Sequence, residues 1–222
     1  MSVLKKSLLR KYARLAVVTG AAIQKNQPVI LYAAVDQSEF ALLVVEEAYK
    51  AGASKVRVEW LSQPLTKLHF RHQSLKILSK IDTWVEEREK LFCKELPATI
   101  HILSEDPDGL KGINKVKLQK VRQNQYKVMK KYRDESDNKY QWNLIAVPSK
   151  QWAKKVFPGE RTSVAVSKLW DAILKTVYIT EDNDPIEEWN KHNKAFAEKC
   201  AFLNSKKFDY LHYKSKNGTD FK

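Results

Sequence analysis

Between Pro28 and Trp60 the hydrophobic period changes twice, and no other stretch constrains the fold as strongly. Pro28-Val-Ile-Leu-Tyr-Ala-Ala-Val35 is a nearly continuous apolar run. It has the length of a strand and lacks the alternation of a strand with one solvated face, so it fits a strand covered on both faces. From Glu39 to Ala51 the apolar residues Phe40, Leu43, Val44 and Ala48 recur at helical spacing, with Asp36 and Ser38 as candidate caps. Gly52 then stands where a helix ends in a left-handed residue. Lys55-Val-Arg-Val-Glu-Trp60 reads as a second strand. Strand, helix, glycine and strand within about 30 residues make a βαβ unit with a right-handed crossover.

The flanking sequence repeats the alternation. Leu4, Leu8, Tyr12, Leu15 and Val18 mark one face of an opening helix, with Lys5, Arg10, Lys11 and Arg14 mostly off it; Pro28 blocks its continuation. Residues 64–95 read as helical in two stretches, Leu65, Leu68, Leu75 and Leu78, then Ile81, Trp84, Val85, Leu91 and Phe92, with Asp82 as a cap for the second. A third strand is predicted over Ala98–Leu103, followed by the turn-rich Ser104-Glu-Asp-Pro-Asp-Gly109. Ile113–Arg133 reads as a long basic helix and Trp142–Val147 as a fourth strand stopped by Pro148. Ser149 is placed to cap a helix over Gln151–Phe157. Another helix covers about 163–176, with Val166, Leu169, Trp170 and Ile173 inward, and a last one runs from Pro185 to about Phe208 with Trp189, Phe196, Cys200 and Leu203 as its apolar face. The predicted fold class is α/β: an open, mostly parallel sheet of about four or more strands with flanking helices and a helical C-terminal part. About 1–180 forms the sheet core, and a long helix lies within 184–214.

With 43% apolar residues, 6 Gly and 7 Pro among 222, the chain is neither disordered nor collagenous. No apolar run approaches the roughly 20 residues that span a bilayer. The opening MSVLKKSLLRKYARLAVV has no long apolar core and no cleavage site. It mixes basic and apolar residues as a transit peptide does, but the basic residues continue through the chain, so an amphipathic helix is the simpler reading. Two cysteines, Cys93 and Cys200, define neither a disulfide framework nor a paired metal motif, and free thiols in a cytoplasmic protein are expected. Lys and Arg number 40 against 26 Asp and Glu, a net charge of +14. That excess fits either a polyanion-binding protein or the basic part of a larger, better balanced molecule.

The candidate chemistry is sparse. A dinucleotide fold needs a glycine-rich turn after its first strand; here the turn is Asp36-Gln-Ser-Glu39, which has no glycine and carries two acids. Gly20 precedes that strand, and no Gly-Lys-Ser/Thr occurs. His69 and His72 stand at i and i+3, and Glu188 and His192 at i and i+4, but neither pair has an evident third ligand, and His101 and His212 are isolated. Hydrogen-bonded or surface histidines are the simpler reading. Cys93 reads as packing. From Lys111 to Arg133 there are nine Lys or Arg and no acid. Lys115, Lys120, Arg122, Lys127, Lys130 and Lys131 spread around the helix, and Tyr126 and Tyr132 are its only aromatics, fewer than a single-strand binding groove uses. A solvated helix face is the simpler reading of this segment.

Longer stretches carry a resemblance. LLRKYARLAVVTGAAIQKNQPVIL (8–31), EEAYKAGASKVRVEW (46–60), LSEDPDGL (103–110), WNLIAVPSKQWAKKVFPG (142–159), VSKLWDAI (166–173), DNDPIEEWNKHN (182–193) and LNSKKFDYLHYKSKNGTDF (203–221) resemble the first part of bacterial metalloaminopeptidases of the aminopeptidase T, aminopeptidase S and PepS type. The Trp152–Pro158 and Leu211–Asp220 blocks are the most specific. The resemblance implies cytoplasmic exopeptidases of about twice this length, which remove N-terminal residues from peptides with two divalent ions (Co, Zn or Mg) and form homodimers. It places the Glu, His and Asp ligands after the Gly-Thr-Asp block. Every such position maps beyond Lys222, so no catalytic and no metal-binding residue is carried onto this chain, and no cofactor is expected in it.

The chain therefore reads as the N-terminal domain, residues 1–222, of an aminopeptidase, whether a fragment or a truncated product. Its long helix would lead to a missing metal-binding domain, its positive charge would face an acidic partner half, and Gly-Thr-Asp-Phe221 would begin a strand. Alone it is expected to be inactive, and its uncovered apolar surface to favour self-association. No membrane is expected as a partner, nor is nucleic acid. The rival readings are a stand-alone basic RNA- or polyanion-binding module and a regulatory partner that docks onto a full-length subunit.

Overall fold

The run at Pro28 forms one of the two inner strands of a parallel sheet, which is why it is apolar on both faces. In this computed structural model, which describes residues 5–222, β1 (Pro28–Ala34) pairs with β2 (Lys55–Leu61) on one side and with β3 (Ala98–Leu103) on the other, and β3 pairs with β4 (Trp142–Ala146). The order is β2-β1-β3-β4, all parallel. Val29, Leu31, Ile100 and Ile102 are fully buried. Burial of such a side chain contributes about 1.5–3 kcal/mol. The edge strands differ: on β4, Trp142 and Leu144 are 61% and 51% exposed.

The helices are α1 (Lys6–Leu15), α2 (Ser38–Lys50), α3 (Gln63–His72), α4 (Leu75–Ser79), α5 (Thr83–Glu95), α6 (Lys115–Ser136), α7 (Lys150–Val156), α8 (Thr162–Thr176) and α9 (Pro185–Ser205). One group meets at an aromatic cluster: the Tyr12 ring lies 5.6 Å from Phe40 and 6.1 Å from Trp170, joining α1, α2 and α8. A second group packs α4 and α5 against α6. Two compact units result, one through Pro185 and one from Ile186 to Lys222. The second unit holds most of α9 and a hairpin in which β5 (Tyr213–Lys214) pairs antiparallel with β6 (Asp220–Phe221), with the Tyr213 and Phe221 rings stacked at 4.9 Å.

Most boundaries fall within two residues of the sequence reading, and the differences have physical causes. Leu4 lies outside the described residues. Val18, expected on the buried face of the first helix, is 42% exposed, and Val17 is buried instead. The helix widens into a π turn over Ala16–Gly20, with the Ala21 N–H donating to Ala16 O at 2.8 Å, and this rotates the face. Asp36 does not cap α2; it sits in a 3-10 turn, Val35–Gln37, and no side chain bonds the first turn. Phe40, Leu43, Val44 and Ala48 are buried as expected, and Gly52 has φ +100°. The 64–95 segment breaks into α3, α4 and α5, and none of the three contains a buried residue; Leu65, Leu68, Trp84 and Leu91 are exposed. Asp82 occupies the N-cap of α5 without a side-chain bond. The basic helix begins at Lys115, where Asn114 Oδ1 accepts from the Lys117 N–H at 2.9 Å. Ser149 caps α7 as expected, accepting from the Trp152 N–H at 3.1 Å. Leu169, Trp170 and Ile173 are buried on α8, while Val166 is only half-buried. On α9, Phe196 is 61% exposed, and Cys200 and Leu203 are also exposed.

Candidate functional site

After β1 the chain crosses to β2 on one side, whereas β3 lies on the other side of β1. The loops leaving the two strands therefore diverge, and such switch points leave a crevice at the strands' carboxyl ends. A cavity of about 600 Å³ lies there. Each strand of the sheet delivers lining residues from its carboxyl end: Val35 and Asp36 after β1, Ser62 and Gln63 after β2, Ser104, Glu105 and Asp106 after β3, Ser149 and Gln151 after β4. Lys67 and Arg71 line it from α3, one turn apart.

Hydrogen bonds hold this rim in place. The Gln63 amide binds the backbone of Asp106 twice, its Nε2 donating to the carbonyl at 3.0 Å and its Oε1 accepting from the N–H at 2.9 Å. That clasp joins the first turn of α3 to the loop after β3. It requires a glycine at 109, because an added Cβ would lie 2.4 Å from Gln63 Oε1. At the other end of α3, Lys117 Nζ donates to the carbonyls of Phe70 at 2.8 Å and Gln73 at 2.5 Å. A cation at a helix C-terminus is favourable both as donor and against the dipole.

The rim charges are not used up within the protein. Among the described residues, Lys67, Arg71 and Asp36 form no ion pair. Glu105 Oε2 accepts from the Ser104 N–H at 3.2 Å, and Asp106 Oδ1 from the Asp108 N–H at 2.9 Å. Ser104 is 2% exposed, and its hydroxyl has no hydrogen-bond partner. Buried hydroxyls are ordinarily satisfied, so Ser104 is an exception, shared with Thr99. Beside these polar groups stand the apolar Val35, Leu61, Pro64 and Leu68.

The residues singled out in the sequence do not assemble into a second site. His69 Nδ1 meets Gln73 Nε2 at 3.2 Å, and His72 is exposed. His101 stacks on Tyr32 at 4.3 Å, and burial lowers its pKa. Glu188 pairs with Lys191 at 2.9 Å, while the His192 ring lies 5.3 Å from Trp189 and 6.1 Å from Phe196. His212 pairs with Asp220. Cys93 donates to Tyr132 O at 3.3 Å; Cys200 is exposed. Among the described residues, no three His, Cys, Asp or Glu side chains lie where they could share a metal ion. This donor set does not fit a two-ion centre.

Part of the charge on the basic helix α6 is engaged, within the helix and with its neighbours. Lys117 caps α3, Lys131 pairs with Glu86 at 3.3 Å, Lys130 pairs with Asp134, and the Arg133 guanidinium lies over the Tyr126 ring. Tyr132 is buried, its hydroxyl donating to Glu86 Oε2 at 3.0 Å. Among the described residues, Lys115, Lys120, Arg122 and Lys127 carry no ion pair. They are exposed on a helix whose aromatics are already engaged.

An open α/β sheet with its crevice at the strand ends is shared by many protein families, so the assignment comes from comparison. Residues 5–222 match the peptidase family described as thermophilic metalloprotease (M29), and the chain belongs to that family. It is 34% identical over 214 residues to aminopeptidase AmpS of Bacillus subtilis (strain 168), with 96% of this chain and 52% of AmpS covered. It is 32% identical over 219 residues to aminopeptidase PepS of Streptococcus thermophilus, covering 97% of this chain and 52% of PepS. Among solved structures, wild-type AmpT from Thermus thermophilus superposes with a TM-score of 0.82 at 32% identity, over 97% of this chain and 52% of that one. The chain spans about half the length of the curated relatives it matches.

The cavity is not visible as a sequence motif, because its residues share none. The available signal is positional: a small polar or acidic residue comes within two residues of the end of each predicted strand, where an open α/β sheet binds its ligands.

Proposed function

We propose that this chain is the N-terminal α/β half of a metal-dependent aminopeptidase, an enzyme that removes N-terminal residues from peptides. The whole enzyme would be a cytoplasmic homodimer with two divalent ions held by its other half. In this reading residues 1–222 form one part of the peptidase, with α9 leading toward the metal-binding part, and they hydrolyse nothing by themselves. The observation that carries the reading is the coverage: nearly all of this chain aligns with only about half of each aminopeptidase relative.

The experiment is an assay of the homogeneous 222-residue protein with amino-acid p-nitroanilides in the presence of cobalt, zinc or magnesium. The expected result is no turnover above the metal-only blank. Turnover that copurifies with the protein and is abolished by chelation would overturn the proposed inactivity.

A further inference from the structure

We propose that the cavity at the carboxyl ends of β1 to β4 binds a small zwitterion, a free amino acid or a dipeptide. Its ammonium group would lie at Asp36 and Glu105, and its carboxylate at Lys67 and Arg71. Charge sign selects this class of ligand. A site for an anion alone would not carry Asp36, Glu105 and Asp106 on its wall, and a site for a cation alone would not carry Lys67 and Arg71. Both signs are present, from different elements: the carboxylates leave β1 and β3, and the cations project from α3. Lys67, Arg71 and Asp36 form no ion pair among the described residues, so a ligand bearing both charges meets partners that the fold has left available.

Three further features narrow the ligand. The volume, about 600 Å³, lies in the range of small-molecule sites. Val35, Leu61, Pro64 and Leu68 give an apolar patch that suits an aliphatic side chain. Ser104 adds one more polar residue to the wall. A nucleotide fits poorly, because the turn after β1 presents Asp36 and no glycine to a phosphate. Such a site deepens the peptidase reading, in that free amino acids are what an aminopeptidase releases, but it stands on the cavity alone and needs no turnover to be tested.

The test is isothermal titration of the 222-residue protein with L-leucine, leucyl-glycine, N-acetyl-leucine, leucinamide and inorganic phosphate. Leucine or leucyl-glycine is expected to saturate one site, and the tighter of the two identifies the source. N-acetyl-leucine and leucinamide, each lacking one charge, are expected to bind about tenfold more weakly or worse, the loss of one charge-assisted contact. Arg71→Gln and Asp36→Asn are each expected to weaken binding about tenfold with an unchanged circular dichroism spectrum. The blocked ligands test the idea on the native protein should a variant not fold. Three results would overturn it: no saturation by either zwitterion, phosphate or N-acetyl-leucine binding as tightly as leucine, or unchanged affinity in both variants. None of these bears on whether the chain is part of a peptidase.

Discussion

The Tyr12 hydroxyl makes both of its hydrogen bonds to one residue, accepting from the Ala146 N–H and donating to the Ala146 carbonyl, each at 3.1 Å. Ala146 closes β4, the edge strand, and the bonds to Tyr12 occupy backbone groups on the side away from β3. The same ring belongs to the aromatic cluster with Phe40 and Trp170. One side chain of the first helix thus ties two helices to the last strand of the sheet. Nearby, Asn143 Nδ2 donates to Ala16 O at 3.1 Å, bonding β4 to the π turn as well.

Tyr12→Phe keeps the packing and leaves both Ala146 groups unpaired. Urea unfolding is expected to show a loss of about 1–3 kcal/mol. In the wild type, burial pushes the Tyr12 pKa up to about 12, against the smaller opposing effect of its bond to Ala146. Burial raises the Tyr32 pKa as well, so phenolate absorbance should show Tyr12 and Tyr32 ionising above the usual value of about 10. Ionisation of all tyrosines near that usual value would contradict the geometry.

His101 lies half-buried against Tyr32, in register across β1 and β3, and burial lowers its pKa. The folded protein thus binds this proton less readily than the unfolded chain. Its contribution to stability is complete above the unfolded histidine value of about 6.5 and is lost as pH falls through and below it. His101→Phe is expected to flatten that part of the stability profile, measured by urea unfolding across the mildly acidic range. An unchanged slope would show that other groups set it.

Glu46 sits between Arg10, at 2.9 Å, and Lys50, at 3.0 Å, and hydrogen bonds from first Arg10 and then Lys50 hold its carboxyl down to about 2. The sign is opposite to that of His101. Stability from this carboxylate is present above the unfolded glutamate value and is lost as pH falls toward about 2. The three side chains are exposed at their charged ends, so salt should screen the effect. Glu46→Gln is expected to reduce the acid dependence at low ionic strength and to change little in high salt. Equal acid dependence in both proteins at low salt would refute this.

The thiols should differ in reactivity. Cys200 is exposed, whereas Cys93 donates to Tyr132 O and its pKa is raised by burial, so it holds less thiolate at neutral pH. With a disulfide reagent under native conditions, Cys200 is expected to react rapidly and Cys93 slowly, and unfolding should make the two rates converge. Mass mapping of the modified peptides assigns each phase.

Lys117 fastens the end of the helix that carries Lys67 and Arg71. Lys117→Met keeps the aliphatic stem and removes the donor, and it is expected to cost about 0.5–2 kcal/mol of stability. Proteolysis near Gln73 should speed up in the variant; an unaltered cleavage pattern would argue that α3 does not depend on this cap.

β1, β3 and α2 are legible in the sequence because burial on two faces of the inner strands and a sharp stop at Gly52 leave little choice of local structure. Val18 and Val17 exchange places because a π turn adds a residue to the helical repeat, and nothing in the local sequence announces it. The 64–95 region has the spacing of helices with buried faces, yet Leu65 and Trp84 are exposed: periodicity reports which residues share a face, not whether anything covers it. The Lys111–Arg133 segment reads as a charged surface, but Lys117 and Lys131 have specific partners that only the tertiary structure supplies. The cavity is the least legible feature. Asp36, Lys67 and Glu105 come from distant parts of the chain, and only the strand order brings them together.

The cavity has a stiff floor and a loosely seated wall. β1 and β3 bring fully buried side chains beneath it, while α3, which supplies both cations, contains no buried residue. Amide protons of the floor should then outlast those of α3 in deuterium, because local opening depends on the density of apolar contacts. An occupant bridging the two would slow exchange mainly on the helical side, giving a footprint of occupancy that can be read without catalysis.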